Sequence, residues 1–364
     1  MATFKVETVR VVIEPHPNAD ALELARVGDY VSIVRKGEFS TGDLVAYIPE
    51  QSIVPDPLLE ELGLRGRLAG PEKNRVKAIK LRGVLSQGLC YRARTRWSDG
   101  QDVTDELGVR KYEPPVPTHM SGRVYGAGLD RCLKYDIENY KRFPDLLQPG
   151  EPVVFTEKLH GTWCQIAVMP DAMADPEHGR VVVSSKGLAA KGLAFAPSAP
   201  ENFGNLYMRA ARGFDVVGRI ERVFAAALAA RAPVFVLGEI FGKGVQDLGY
   251  GADVGRDAEL GFRVFDVFTG APGVGQFLDD DALEEACDRM ALERVPVVFR
   301  GPFSTRALAE HTDGRETISG RGLHIREGVV VRPCAERRHE ALGRVQLKSV
   351  SERYLLRKGG TEYN

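Results

Sequence analysis

The chain has 364 residues, 43% hydrophobic and 27% charged, with a formal net charge of -1. That length exceeds what one core usually serves, so two domains are the default, while the balanced charge excludes a bulk polyelectrolyte binder and no apolar run reaches the ~20 residues that span a bilayer. The five cysteines (Cys90, Cys132, Cys164, Cys287, Cys334) are scattered, with no CxxC pair or His/Cys cluster, which excludes a disulfide frame or zinc site and points to a reducing cytoplasm.

Met1 to Arg10 alternates apolar and polar residues and lacks the features of a signal peptide. Short strands are predicted over Lys5 to Ile13, Leu22 to Val27, Tyr30 to Arg35, Leu44 to Ile48, Val76 to Leu81 and Gly88 to Tyr91. Pro15, Pro17-Asn18, Gly28-Asp29 and Thr41-Gly42-Asp43 break them. Strands at this spacing predict a small barrel or sandwich over residues 1–110. The segment His16-Pro17-Asn18-Ala19-Asp20-Ala21-Leu22 resembles the opening of OB-fold tRNA-binding modules, with His16 read as a turn residue.

From Arg65 to Arg82 there are seven basic residues, Arg65, Arg67, Lys73, Arg75, Lys77, Lys80 and Arg82, against one acid, Glu72. Arg92, Arg94 and Arg96 alternate, which on a strand places them on one face beside Tyr91 and Trp97. The expectation is a basic ribbon that follows a phosphate backbone; the alternative is a solvated charged face. Residues 111–150 are dense in proline and glycine and read as a linker with a short helical piece near Ile137 to Phe143.

Residues 151–364 mix strands with helices over Val216 to Arg231 and Asp280 to Arg294. In the first helix Ile220, Val223, Phe224 and Leu228 recur at helical spacing as a core face. Four segments border short apolar strands with charge. Glu157-Lys158-Leu159-His160-Gly161-Thr162 follows the strand Pro152 to Thr156. Gly238-Glu239 closes Val234 to Leu237, Glu327 precedes Gly328-Val329-Val330-Val331, and Leu347-Lys348 ends a strand begun near Arg344. A lysine so placed presents its amine to a phosphate while Gly161 lets the backbone approach. As an ammonium it is no nucleophile, so it needs desolvation or a nearby cation. Two carboxylates and two lysines make a nucleotide and metal site, because Mg²⁺ takes one or two carboxylates together with substrate phosphates. Cys164 reads as core packing, Asp266 as a solvent-facing acid after a strand.

At this point the chain resembles the covalent nucleotidyltransferases, most closely the ATP-dependent RNA ligases of Deinococcus type. Their six motifs appear in order over about 190 residues. Lys158 to Gly161 matches the first, and Ser184-Ser185-Lys186-Gly187 the second. Leu237 to Gly242 matches the third, and Phe262 to Val267 the next. Glu327 to Val330 and Gln346-Leu347-Lys348 complete the set. The resemblance implies an α+β chain, an OB-like β-barrel followed by a nucleotidyltransferase domain of mixed antiparallel sheets and helices. It implies ATP as the AMP donor, Mg²⁺ or Mn²⁺, and an RNA or nicked RNA-containing duplex as substrate, with 3′-OH and 5′-phosphate ends sealed through a lysyl-AMP. Lys158, Glu327 and Lys348 become the expected catalytic residues. Glu157, His160, Gly161, Lys186, Glu239, Phe265 and Gln346 are expected around the nucleotide, with Glu327 and Glu239 on the metal. Relatives often have lysine where Gln346 stands, which leaves one phosphate contact open or gives it to Arg344 or Lys186.

Domain order fits that layout, since Lys348 lies 16 residues from the last residue and the barrel-like segment comes first. The polar stretch from Ser351 to Asn364, with Arg353, Arg357 and Lys358, either closes over the site or frays. No membrane and no obligate protein partner are expected. Two other readings stay open: a GTP-using capping enzyme or DNA ligase, and a non-catalytic OB-fold RNA-binding protein.

Overall fold

A computed structural model describes residues 4–248, 250, 260–340 and 342–360. The chain forms two compact units, one of 4–113 with 139–145, the other of 114–138 with residues from Leu146 onward. The stretch expected as a linker is therefore divided between them. Cys132, Leu133 and Tyr135 are buried in the second unit's core, so the proline and glycine density there marks irregular but packed chain.

In the smaller unit, β1 (Glu7–Arg10) pairs with β5 (Leu44–Ile48), which pairs with β6 (Leu89–Arg92). β2 (Val12–Pro15), β3 (Leu22–Val27) and β4 (Tyr30–Arg35) form an antiparallel meander. Only Val11, 1% exposed, separates β1 from β2, so the run expected as one strand serves two sheets. The alternating apolar residues fill cores around Ala46, Ile48, Leu59 and Trp97 and around Ala25, Val45 and Cys90. His16 is the expected turn residue, its Nδ1 accepting from the Asn18 amide at 3.1 Å.

Among the described residues the larger unit is built on two large antiparallel sheets, with smaller two-stranded ones beside them. One runs β15 (Leu347–Val350), β14 (Gly328–Pro333), β7 (Pro152–Lys158), β13 (Val297–Pro302). The other runs β9 (Val181–Ser185), β8 (Thr162–Val168), β10 (Val234–Phe241), β11 (Gly261–Thr269), β12 (Gln276–Phe277). The turn Leu159–Gly161 is the link by which β7 of the first sheet becomes β8 of the second. β8 and β10 are apolar on both faces because both are covered. One face packs on α1 (Leu206–Gly213), α2 (Val216–Val223) and α4 (Asp280–Met290), burying Ile166, Val236, Ile220 and Leu283. The other face carries Trp163, Leu237 and Phe235 beneath Tyr135.

The helix expected over Val216 to Arg231 is two pieces, α2 and α3 (Ala225–Ala229). Phe224 leaves helical geometry at φ -110° between them, with its ring packed on the core. α4 stops at Met290 rather than Arg294, because Ala291 takes a left-handed conformation at φ 51°.

Candidate active site

Strand register brings the site together. Lys158 ends β7 opposite Gly328, and Glu327 immediately precedes that glycine. Thr156 lies opposite Val330, which in turn lies opposite Lys348 on β15. Directly paired residues share a face and so do residues two apart, so Lys158 and Lys348 project from one side of the sheet. The Lys158 ammonium pairs with Glu327 at 2.5 Å. Gly328 permits the close strand pairing at this point, since a Cβ there would lie 2.0 Å from the Ser349 carbonyl oxygen.

The second sheet supplies the other wall. Glu239 on β10 lies directly across from Trp163 on β8. A register shift on β10–β11 pairs Leu237 with Asp266 and Gly238 with Val264, leaving Phe265 as the extra residue of a bulge. A bulge re-aims its side chain, and Phe265 sits half-buried between the Tyr135–Trp163 cluster and the Leu159–Phe241 cluster. Its ring centroid is 5.4 Å from that of Tyr135.

The electrostatics are those of an unbalanced pocket. Burial and the nearby Glu327 push the Glu239 carboxyl up to about 8, against the pull of Lys158 and the Gly161 amide. Burial acts the same way on Glu327 but is outweighed, chiefly by Lys158, which brings it down to about 2. Burial and repulsion from Lys158 and Lys186 lower Lys348 to about 8. Glu239 is thus a carboxylate short of positive charge, and with Glu327 it offers hard oxygen donors. Two carboxylates without a closed cage suit a Mg²⁺ or Mn²⁺ that keeps waters and shares phosphate oxygens.

Several expected residues do other work. Gly161, in the turn before β8, is required by the close approach of β10, since a Cβ there would lie 2.1 Å from the Ile240 carbonyl oxygen. Glu157 points to the face of β7 opposite Lys158, where its carboxylate accepts from the Thr317 amide (3.0 Å) and hydroxyl (2.5 Å) and from the Tyr250 hydroxyl. Its side chain is buried and held by those hydrogen bonds. Gln346 accepts from the Tyr135 hydroxyl and from Arg344, both at 2.9 Å. Arg344 is itself bound through both terminal nitrogens to Asp266, at 2.7 and 2.8 Å. Both side chains are thus engaged with one another and with Asp266 and Tyr135. Lys186 is the remaining candidate, 3.0 Å from Asp136.

Asp266, expected to face solvent, is instead fully buried and ion-paired. Cys164 is core, as expected. His160 is 3% exposed, with Nε2 2.8 Å from Asp247 and Nδ1 2.8 Å from the Tyr354 hydroxyl. Tyr354 and Asp247 escape sequence reasoning because neither lies in a run that signals chemistry.

Arg92, Arg94 and Arg96 do not share one strand face. β6 ends at Arg92, and Arg94 and Arg96 both turn to Glu106, which also accepts from the Trp97 indole at 2.9 Å. Arg65 folds back on Asp56 and Glu60. Arg75 bonds Gln51 at 3.0 Å and stacks 3.5 Å over the Tyr112 ring. Arg67, Lys73, Lys77, Lys80 and Arg82 are exposed. Among the described residues three acids also cluster on α4, Asp280, Asp281 and Glu284. Arg294, Arg300 and Arg332 all bind Asp280, so this is an ion-pair knot. No helix among the described residues is long and apolar enough to cross a membrane.

The profile of the RNA ligase family matches residues 151–350, more than half of the chain. The chain belongs to the RNA ligase family. Residues 4–93 of this ligase match an OB-fold domain. In fold it is similar to the RNA ligase of Naegleria gruberi. A lysine-to-alanine mutant of that protein with ATP and Mn is 20% identical, with TM-score 0.74, over 96% of this chain and 98% of that one. A lysine-to-methionine mutant with AMP and Mn gives 20% and 0.77, over 97% and 98%. The form with PPi gives 21% and 0.76, over 97% and 98%. No curated protein matches the chain in sequence.

Proposed function

We propose that this ligase is ATP-dependent and seals RNA 3′-OH and 5′-phosphate ends, at nicks in duplexes, through a lysyl-AMP on Lys158. The observation that carries the reading is the paired Lys158 and Glu327 on the same sheet face as Lys348, with Glu239 and the bulged Phe265 on the facing wall. That arrangement suits a phosphoryl or nucleotidyl transfer, which needs positioning and charge neutralisation more than anything else. ATP and Mn accompany the Naegleria gruberi RNA ligase, which shares this fold.

Lys158 Nζ attacks the α-phosphorus, forming the N–P bond as the bond to pyrophosphate breaks. Its proton must leave first, because the amine is paired as an ammonium in the resting site. Lys348 and Lys186 hold phosphate oxygens, Glu239 the ribose, and Phe265 stacks on the base. Glu327 and Glu239 would hold the divalent cation, which offsets charge on the phosphates. AMP then passes to the RNA 5′-phosphate, and the 3′-OH displaces it. Residues 1–110 serve as the nucleic-acid-binding domain and 151–364 as the adenylyltransferase domain. Five unpaired cysteines suit a reducing cytoplasm.

The test is incubation with α-labelled ATP and Mn²⁺, then a denaturing gel. Acid-labile label on the wild type and none on Lys158→Ala is the expected result. Label from GTP alone points to capping, and no label on folded protein removes the catalytic reading.

A further inference from the structure

The turn that carries the nucleophile is held at three successive residues. Leu159 is buried against Phe241 and Val295, and Gly161 lies under the Ile240 carbonyl. Between them His160 is clamped at both ring nitrogens by side chains remote in sequence. Asp247 accepts from Nε2–H at 2.8 Å, which leaves Nδ1 as the acceptor for the Tyr354 hydroxyl at 2.8 Å. Tyr354 belongs to the short helix α5 (Glu352–Leu355) and is 3% exposed. Arg357 closes the ring of interactions. Its guanidinium lies 3.7 Å over the Tyr354 ring and donates to Asp247 at 3.1 and 3.3 Å.

We propose that Tyr354 and Arg357 are positioning residues, a latch from the last part of the chain that fixes His160 so that Glu327 is left to Lys158. The geometry behind this is a competition for one carboxylate. His160 Nδ1 lies 3.7 Å from Glu327 Oε2, while Lys158 occupies Oε1 at 2.5 Å. With its Nδ1 engaged by Tyr354, the imidazole ring is held away from Glu327. Without Tyr354 the ring can turn toward Glu327 and compete with Lys158 for that carboxylate. The latch rests on the proposed lysyl-AMP chemistry and locates control of its first step outside the six motifs.

The experiment compares Tyr354→Phe, Arg357→Ala and Arg357→Lys with the wild type in two reactions of the full chain. One is single-turnover labelling of Lys158 by α-labelled ATP across ATP concentrations. The other is sealing of a nick whose 5′-phosphate already carries AMP, which bypasses the lysine. Misplacing a reacting group by an ångström or less costs up to about a hundredfold, so Tyr354→Phe and Arg357→Ala should slow maximal labelling about 10- to 100-fold. Half-saturating ATP and the pre-adenylylated reaction should change by less than about twofold, and Arg357→Lys should recover part of the loss. A readout independent of activity is the ¹⁵N shift pair of the His160 imidazole, assigned by its absence in His160→Asn. It should report the Nε2–H tautomer in wild type and a mixture in Tyr354→Phe. Unchanged labelling, equal loss in both reactions, or an unchanged tautomer overturns the latch. Absence of label on the wild type instead overturns the function on which it rests.

Discussion

Lys158 and Glu327 are opposite charges 2.5 Å apart in a partly desolvated pocket, and each depends on the other. Glu327→Gln should therefore do more than remove a metal ligand. It removes the carboxylate paired with Lys158 at 2.5 Å, and labelling should fall by at least about 10²-fold, as for loss of a preorganised charge. Glu239 gives a pH signature. Its pKa rises from the ordinary 4.5 to about 8. Between those values the folded chain holds a proton that the unfolded chain has lost, so this group's contribution to stability falls as pH rises through the window. A cation on the carboxylate removes that cost, and Mn²⁺ should raise the melting temperature more at about pH 8 than at about pH 6. A smaller gain at the higher pH would remove Glu239 from the metal site. Lys158, Glu239 and Glu327 are legible in sequence because each charge interrupts or borders an apolar run, although β10 continues past Glu239 to Phe241 instead of closing there. The same logic misplaces Asp266, since its partners Arg344 and Tyr135 lie 78 and 131 residues away.

Among the elements, the bulge on β11 and the turn after β7 do most to build the pocket. Strand alternation correctly predicts apolar runs over β7, β10 and β14, but nothing in Phe262 to Val267 announces a bulge, which depends on the register of β10. Sequence therefore names Phe265 only through family likeness and offers no reason for its position. The Leu159–Gly161 turn is tight enough that Gly161→Ala should destabilise the chain by about 1–3 kcal/mol, seen as a lower urea midpoint with unchanged slope. On β11 itself, Asp266→Ala strips Arg344 of its bidentate partner in a buried setting, and breaking such a pair costs about 3–5 kcal/mol. A neutral outcome would mean that Glu336, also bonded to Arg344, carries that charge alone.

At the scale of the whole molecule, length and breaker residues lead to two units, and family likeness to an α+β chain. Breaker residues fail over 111–150, where proline and glycine mark chain without regular structure, not chain without a core. The alternating face of Arg92, Arg94 and Arg96 fails for a related reason. Spacing places charges on a face only while the strand lasts, and β6 ends at Arg92. The exposed cations that remain carry the nucleic-acid reading of the smaller unit. Lys77→Glu with Lys80→Glu should weaken RNA binding on all sequences alike. For every phosphate the protein no longer neutralises, the slope of log Kd against log salt should flatten by about 0.7–0.9. An unchanged slope would move the RNA footprint elsewhere on the chain. The Lys158–Glu327 pair has one more consequence. An amine kept as an ion-paired ammonium is masked, so acyl phosphates, aldehydes and other electrophiles should find the resting nucleophile inert. The same event that readies it for the nucleotide would lift that mask, making the reactivity of Lys158 toward simple amine reagents a direct gauge of how far the site has been armed.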